Sequence, residues 1–290
     1  MDKTRARIRF IASLVLYGTI GCMTRFIHLP AEVIVLVRGA VGALLVLAYR
    51  LVRGERPDAA AIRQNLGWLV AGGACLGLNW VFLFTAYEYT TVAIATVCDY
   101  LFPIIVIAVS PFVFQEHIGP KRIACVVLAF VGVGLISDVA GAIQGGVDLT
   151  GAGLGLAGAA VSAVIVISNK KMGEVDALDK VVVQLACAAA VALPYVLFKN
   201  GGTIPLGGAD ARTYVLLAVL VVVQTAFAYV LYFGSMGELP VLDVALLGYI
   251  EPVMSVVGSA LFLHEPLGIV GALGAALVIA AAAAGELIQE

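Results

Sequence analysis

Three ionisable side chains stand inside long apolar runs: Arg38 in VRGAVGALL, Asp99 in TVCDYLFPIIV and Glu251 in YIEPVMSVV. A charge is costly in an apolar medium, so such groups face a cavity or pair with one another, and they mark a path for a solute or an ion. Glu251 precedes Pro252, which lacks an N–H and loosens the helix ladder one turn earlier. A freed carbonyl beside a carboxylate suits a proton or a cationic group. Asp99 is a candidate for selectivity, with Arg38 as the side chain that holds or gates it. A structural Arg38–Asp99 ion pair and a neutral, hydrogen-bonded Glu251 are the rival readings. Asn79, Trp80, Tyr100, Gln224, Tyr229, Tyr232 and Tyr249 are candidates to complete a pocket. Aromatic faces near a carboxylate suit an organic cation or the ammonium of an amino acid; packing or lipid contact is the plainer role for each ring.

Other residue patterns carry less. GLGLAG, Gly153 to Gly158, has the spacing of a dinucleotide fingerprint but follows no strand. Small residues for close helix packing account for it better, as they do for Gly73 and Gly77. His117 and His264 adjoin Glu116 and Glu265, but no HExxH spacing exists, so no zinc hydrolase is expected. The two glutamates are read as caps or pairs at a membrane boundary. Tyr87, Glu88 and Tyr89 read as an interfacial anchor. Cys22, Cys75, Cys98, Cys125 and Cys187 lack metal-ligand spacing and read as buried thiols. No catalytic constellation, metal site or cofactor site is expected.

The elements that position these residues follow from composition. Of 290 residues, 62% are hydrophobic and 12% charged, against about 25% charged in soluble domains. The chain has too little polar surface to cover itself in water, and mean hydropathy is +1.07. A net charge of −2 argues against a nucleic-acid partner. Spanning a bilayer takes roughly 20 mostly apolar residues, and ten segments qualify: 8–28, 31–51, 66–87, 92–115, 120–138, 151–170, 179–198, 213–235, 241–263 and 267–286. RLVRGERPDAAAIRQN, the longest polar stretch, is a loop or surface helix. The basic N-terminus followed by an apolar run is expected to be a retained first helix rather than a cleaved leader. If both termini are cytoplasmic, thirteen Lys and Arg lie on the inside and two, Lys199 and Arg212, in outside loops; that bias predicts this orientation in a cell (inner) membrane.

The chain also repeats itself. YLFPIIVIAVSPFVFQEHIG (100–119) aligns without gaps to YIEPVMSVVGSALFLHEPLG (249–268), an offset of 149 residues. Tyr100, Pro103, Glu116 and Gly119 match Tyr249, Pro252, Glu265 and Gly268. Each half, 1–143 and 144–290, then holds five helices, and an odd number inverts one half against the other. The expected fold is all-α and integral to the membrane, ten transmembrane helices as two inverted five-helix repeats. Asp99 aligns with Gly248, so it is not the symmetric partner of Glu251. At 1.5 Å per residue, Arg38 and Asp99 both lie roughly 10 Å from the outer ends of their helices, and Glu251 lies near mid-span.

The paired Pro…Glu segments, the arginine early in the second helix and the half-chain repeat together resemble the drug/metabolite transporter superfamily, in its EamA-type ten-helix branch. The resemblance covers nearly the whole chain. It implies a cavity lined by helices 1, 3, 4, 6, 8 and 9, with helices 5 and 10 peripheral. It also implies a secondary transporter moving a small polar metabolite, such as an amino acid or similar zwitterion, by alternating access; the driving force is a proton, another ion gradient or the solute's own gradient, with Glu251 the candidate for proton coupling. A carrier of an organic cation such as a quaternary amine, and a non-transporting membrane receptor, are the alternatives.

Overall fold

The structure is a computed structural model that describes residues 3–90, 92–115, 119–136, 139–144, 148–262 and 268–287. Glu116, His117, His264 and Glu265, and the roles expected of the two glutamates, lie outside these residues. The described residues are almost wholly helical. Eight helices are long and apolar enough to cross a membrane: α1 (Lys3–Thr24), α2 (Ala31–Val52), α3 (Leu66–Tyr89), α4 (Ile94–Val113), α6 (Leu149–Lys171), α7 (Ala177–Lys199), α8 (Ala211–Met236) and α9 (Val241–Phe262). Two shorter apolar helices complete the expected set, α5 (Pro120–Ile136) and α10 (Ile269–Leu287). Between α2 and α3, the polar stretch forms a loop and a short helix, Ala59–Gln64, whose first turn is capped by the Asp58 carboxylate.

Among the described residues, four spans are not continuous α-helices, and each irregularity has a local cause. α4 breaks at Tyr100 and Leu101 and resumes at Phe102; α9 breaks at Tyr249 and resumes at Ile250. Each break precedes a proline, Pro103 or Pro252, whose ring clashes with the carbonyl four residues back and offers it no N–H. The carbonyls so displaced belong to Asp99 and Gly248, the pair that the internal repeat aligns. α1 breaks at Thr19 without a proline. There the Thr19 hydroxyl donates to the Leu16 carbonyl at 2.7 Å, and the Ser13 hydroxyl donates to Phe10 at 2.6 Å. Such back-bonding bends helices. α8 widens into a π-helix over Val222–Phe227, where the Thr225 hydroxyl reaches the Leu220 carbonyl at 3.0 Å, five residues back.

The chain divides into two compact units. Unit 1 comprises residues 1–81 and 164–238; unit 2 comprises 82–163 and 239–290. Both units draw on both sequence repeats, and α3 and α6 each pass from one unit into the other. In unit 1, α2 lies along α7 and α1 along α8. The α1–α8 seam is aromatic: Phe10 stacks on Tyr232 at 5.0 Å, and Tyr17 meets Tyr229 at 5.1 Å. Side chains tie the helix ends on both faces. On one face, Arg50 bridges Asp176 and Asp179, while Asp179 also accepts the Asp58 N–H at 3.1 Å. On the other, Glu32 accepts from Asn200 at 3.3 Å, and the His28 N–H donates to Thr213 at 3.3 Å. In unit 2, α5 pairs with α10. A Cβ on Gly132 would stand 2.8 Å from the Gly274 carbonyl, and one on Gly274 would stand 2.7 Å from that of Gly132. Only hydrogen fits at this crossing, the usual device where apolar burial gives helices no reason to associate. α5 leaves Ile123, Val127, Leu128 and Val131 exposed, as a lipid-facing helix would.

The close packing expected at Gly73 and Gly77 is present: a Cβ on Gly73 would meet the Gln184 backbone at 2.7 Å, and one on Gly77 the Ala188 carbonyl at 2.7 Å. Within GLGLAG, Gly155 packs on Ala95 and Cys98 of α4, whereas Gly153 has open space around it. Gly73→Ala should therefore lower the melting temperature in detergent, because overpacking costs about 1–3 kcal/mol and exceeds the helix-propensity gain of up to about 1 kcal/mol. Gly67→Ala, on the same helix with nothing within 4 Å, should raise it. A second prediction concerns Asp210, which caps α8 and accepts the Thr213 N–H at 3.0 Å. Thr213, through its hydroxyl and its N–H, holds the Asp210 carboxyl below its ordinary value. That stabilisation is present above the unfolded carboxylate pKa, about 3.9, and is lost as pH falls through the lower folded value. Melting curves from pH 6 downward should show Asp210→Asn flattening the acid limb relative to the parent protein.

Candidate functional site

The sequence-predicted residues separate into two groups, one in each unit. Unit 1 holds Arg38, Asn79, Trp80, Gln224 and Tyr229; unit 2 holds Asp99, Tyr100, Tyr249 and Glu251.

Unit 1 gathers its polar atoms at the π-segment of α8. Arg38 is buried, 7% exposed, because Gly39 and Gly42 beside it let two neighbours in. A Cβ on Gly39 would press on Ala189 and the Leu185 carbonyl at 3.1 Å; one on Gly42 would sit 3.3 Å from the Thr225 methyl. The Arg38 Nε donates to the Thr225 hydroxyl oxygen at 3.1 Å. The guanidinium carbon lies 5.2 Å from the centroid of the Trp80 ring, a cation–π contact. Among the described residues of unit 1, no carboxylate forms an ion pair with Arg38. One residue before Thr225, Gln224 donates through Nε2 to the Thr19 hydroxyl, at the break in α1. Its Oε1 is buried without a partner. Tyr229 is buried in the aromatic seam, and Asn79 is buried one residue before Trp80.

Thr225 and Thr19 were not among the sequence candidates. Thr225 had a signal, since the Gln–Thr pair interrupts an otherwise apolar run; Thr19 had none that set it apart. A second polar pair was also missed. Asn169 and Gln184 exchange amide hydrogen bonds at 2.9 and 3.1 Å, and Gly72 makes room for them. A shallow depression of about 340 Å³ lined by Gln64, Gly67, Trp68 and Ala71 belongs to neither group.

Unit 2 gathers its polar atoms at the two proline breaks. Tyr100 and Tyr249 occupy the break positions of α4 and α9, with ring centroids 6.4 Å apart. The Tyr100 hydroxyl is hydrogen-bonded with the Glu251 carboxyl, and Asp99 and Glu251 both lie within coulombic reach of the Tyr100 and Tyr87 phenols. Tyr87 itself is bonded with Thr96. So the ring expected only to anchor α3 at the interface stands with the carboxylates. Tyr249 is fully buried, and its hydroxyl has no partner among the described residues. Asp243, in the first turn of α9, is a further buried carboxylate that the sequence reading passed over. Among the described residues, no group of three or more His, Cys, Asp or Glu side chains could hold a metal ion.

The twin proline breaks in a chain of ten apolar helices match what the internal repeat implied, and the likeness extends to known proteins. The family model described as "EamA-like transporter family" matches twice, at residues 6–138 and 149–284. The chain belongs to the EamA-like transporter family. It is therefore a multi-pass membrane protein that moves a small solute, with duplicated halves, and not an enzyme. It is 24% identical over 277 residues to the uncharacterized transporter YxxF of Bacillus subtilis (strain 168), covering 93% of this chain and 87% of that one. It is 27% identical over 256 residues to the threonine/homoserine exporter RhtA of Salmonella typhimurium (strain LT2), covering 86% of this chain and 80% of RhtA. One solved crystal structure shares the fold with a TM-score of 0.83 at 21% sequence identity, over 97% of both chains.

The unsatisfied Tyr249 hydroxyl generates a prediction for this EamA transporter. A buried polar group without a partner costs about 1–3 kcal/mol. Tyr249→Phe keeps the ring and removes the cost, so the melting temperature in detergent should rise.

Proposed function

We propose that this transporter exports an amino acid or a similar zwitterion by alternating access coupled to protons, with both termini in the cytoplasm. The observation that carries the reading is the likeness to a threonine/homoserine exporter over most of the chain. Each unit by itself also holds charged groups of a kind a zwitterion uses, Arg38 in unit 1 and Asp99 with Glu251 in unit 2. The likeness to RhtA, whose solutes are threonine and homoserine, supports the same class. Orientation rests on the excess of Lys and Arg on one side of the spans.

Glu251 is the proposed coupling residue. It sits one residue past the break in α9, where backbone and carboxylate together offer a proton two kinds of acceptor, and it already shares a hydrogen bond with Tyr100. Asp99 is the proposed selectivity residue. It lies at the carbonyl that Pro103 displaces, and the internal repeat places glycine at the equivalent position, so its charge is peculiar to one half. The residues 1–143 and 144–290 are proposed as the two five-helix repeats. They are proposed to rock around the bound solute. A second reading, transport of an organic cation, is favoured by the phenols of Tyr87 and Tyr100 beside two carboxylates; the buried Arg38, which forms no ion pair with a described carboxylate of unit 1, disfavours it.

Reconstituted liposomes test this directly. Labelled threonine or homoserine should cross faster when a pH gradient is imposed. Glu251→Gln should retain exchange but lose the dependence on the gradient. Asp99→Asn should weaken apparent affinity roughly ten- to a hundredfold, the loss of one charge-assisted contact of about 1.5–3 kcal/mol. Flux of a quaternary amine with none for any amino acid would establish the second reading instead.

A further inference from the structure

The geometry around Arg38 points to a carboxylate receptor: the guanidinium is held by Thr225 through Nε, so that its two terminal nitrogens receive the carboxylate of the solute. This rests on the proposed reading of the solute as a zwitterion and names the group that binds its anionic end.

The observations converge on one segment. Arg38 is the eighth residue of α2, roughly 10 Å from the helix end at 1.5 Å per residue, and it is buried. A charge at that depth is retained for a partner, yet none of the described carboxylates of unit 1 pairs with it. Its Nε has a neutral acceptor, Thr225. The Trp80 ring covers a face of the group, which leaves the in-plane edge for approach. That edge carries two parallel N–H directions matched to the two oxygens of a carboxylate. Thr225 is itself fixed, because its hydroxyl hydrogen is committed to the Leu220 carbonyl and its oxygen therefore faces Arg38 only as an acceptor. This arrangement exists because α8 is a π-helix there, and π-segments recur at functional sites. Gln224 adds an independent sign of a ligand. On the same π-segment it is 3% exposed, and its Oε1 has no hydrogen-bond partner. An acceptor of that kind is costly unless a ligand N–H or O–H reaches it.

Trp80 supplies the readout. The chain has two tryptophans, and the other, Trp68, is exposed, so Trp68→Phe leaves Trp80 as the sole reporter beside Arg38. The purified Trp68→Phe protein, in detergent free of anionic lipid, is titrated with L-threonine, L-threoninamide and inorganic phosphate. L-threonine should shift Trp80 emission saturably, and the amide, which lacks the carboxylate, should bind at least tenfold more weakly. Arg38→Lys keeps the charge but loses the fork, and Thr225→Val keeps the shape but loses the acceptor; each should weaken threonine at least tenfold. Thr225→Val serves on its own if the arginine variant does not fold. Equal titration by threonine and threoninamide, or an unchanged titration in Thr225→Val, overturns the inference. A phosphate response as strong as that of threonine overturns it too, in favour of a general anion or lipid-headgroup site. Threonine flux without a carboxylate requirement at Trp80 would sink this inference and leave the exporter reading standing. A carboxylate-dependent Trp80 response without flux of any amino acid would do the reverse.

Discussion

In hydrocarbon, every backbone N–H and C=O has to find its partner inside the protein. A regular helix meets that demand by itself; a broken one does not. Most of what is chemically distinctive here sits at the four places where a span departs from the regular helix. Within unit 1, the break of α1 at Thr19 faces the π-segment of α8, and Gln224 joins them. Within unit 2, the breaks of α4 and α9 stand together through the rings of Tyr100 and Tyr249. Irregular backbone is thereby confined to where another irregular span can meet it. The same neighbourhoods hold Arg38 and Thr225 on one hand, and Asp99 and Glu251 on the other. In unit 1 an irregular span meets a buried charge, Arg38; in unit 2 the irregular spans carry two half-buried ones, Asp99 and Glu251.

The two neighbourhoods solve the cost of charge differently. Around Arg38 the protein offers a neutral hydroxyl and a π face. These orient the guanidinium and soften its desolvation without cancelling its charge. Around Asp99 and Glu251 it offers the phenols of Tyr100 and Tyr87. By contrast, Arg50 is neutralised by Asp176 and Asp179 where helix ends meet. That contrast separates Arg50, whose charge ties helix ends together, from Arg38, which is given a neutral acceptor and a π face. The distinction is one of partner type, since a fully compensated ion pair has little left to give a ligand.

The ten spans were legible, because transfer of apolar side chains into lipid is nearly additive along the chain and needs no tertiary information. So was the loosening of α9 before Pro252, because a proline removes its own N–H wherever it lies; the matching break of α4 before Pro103 follows from the same chemistry but was not expected. The break in α1 and the π-segment of α8 were not, since hydroxyls cause both, and a hydroxyl can equally well leave its helix straight. Tyr87 was assigned to the interface because its neighbours Glu88 and Tyr89 look interfacial. In the structure, Glu88 and Tyr89 are exposed while Tyr87 turns to Thr96, a difference of helical phase that 24 apolar residues with no polar face conceal. Asp243 was hidden by its position at a span end, where exposure is the ordinary expectation. The division into compact units was also invisible. It depends on glycine contacts such as Gly73 on Gln184 and Gly132 on Gly274, and the sequence does not mark which of the chain's 32 glycines pack.

By itself, the sequence determined how many times the chain can cross a membrane, that its halves are copies, and which side chains are too costly to be left facing lipid. Those properties follow from solvation and from proline chemistry, which act locally. The tertiary structure decided what each costly group is given in return. Thr225 reaches Arg38 across 187 residues, and Tyr100 stands against Tyr249 across a half-chain. A hydrogen bond reaches about 3 Å, so its partner is fixed only when helix phase, crossing point and the glycines that permit close approach are all set at once.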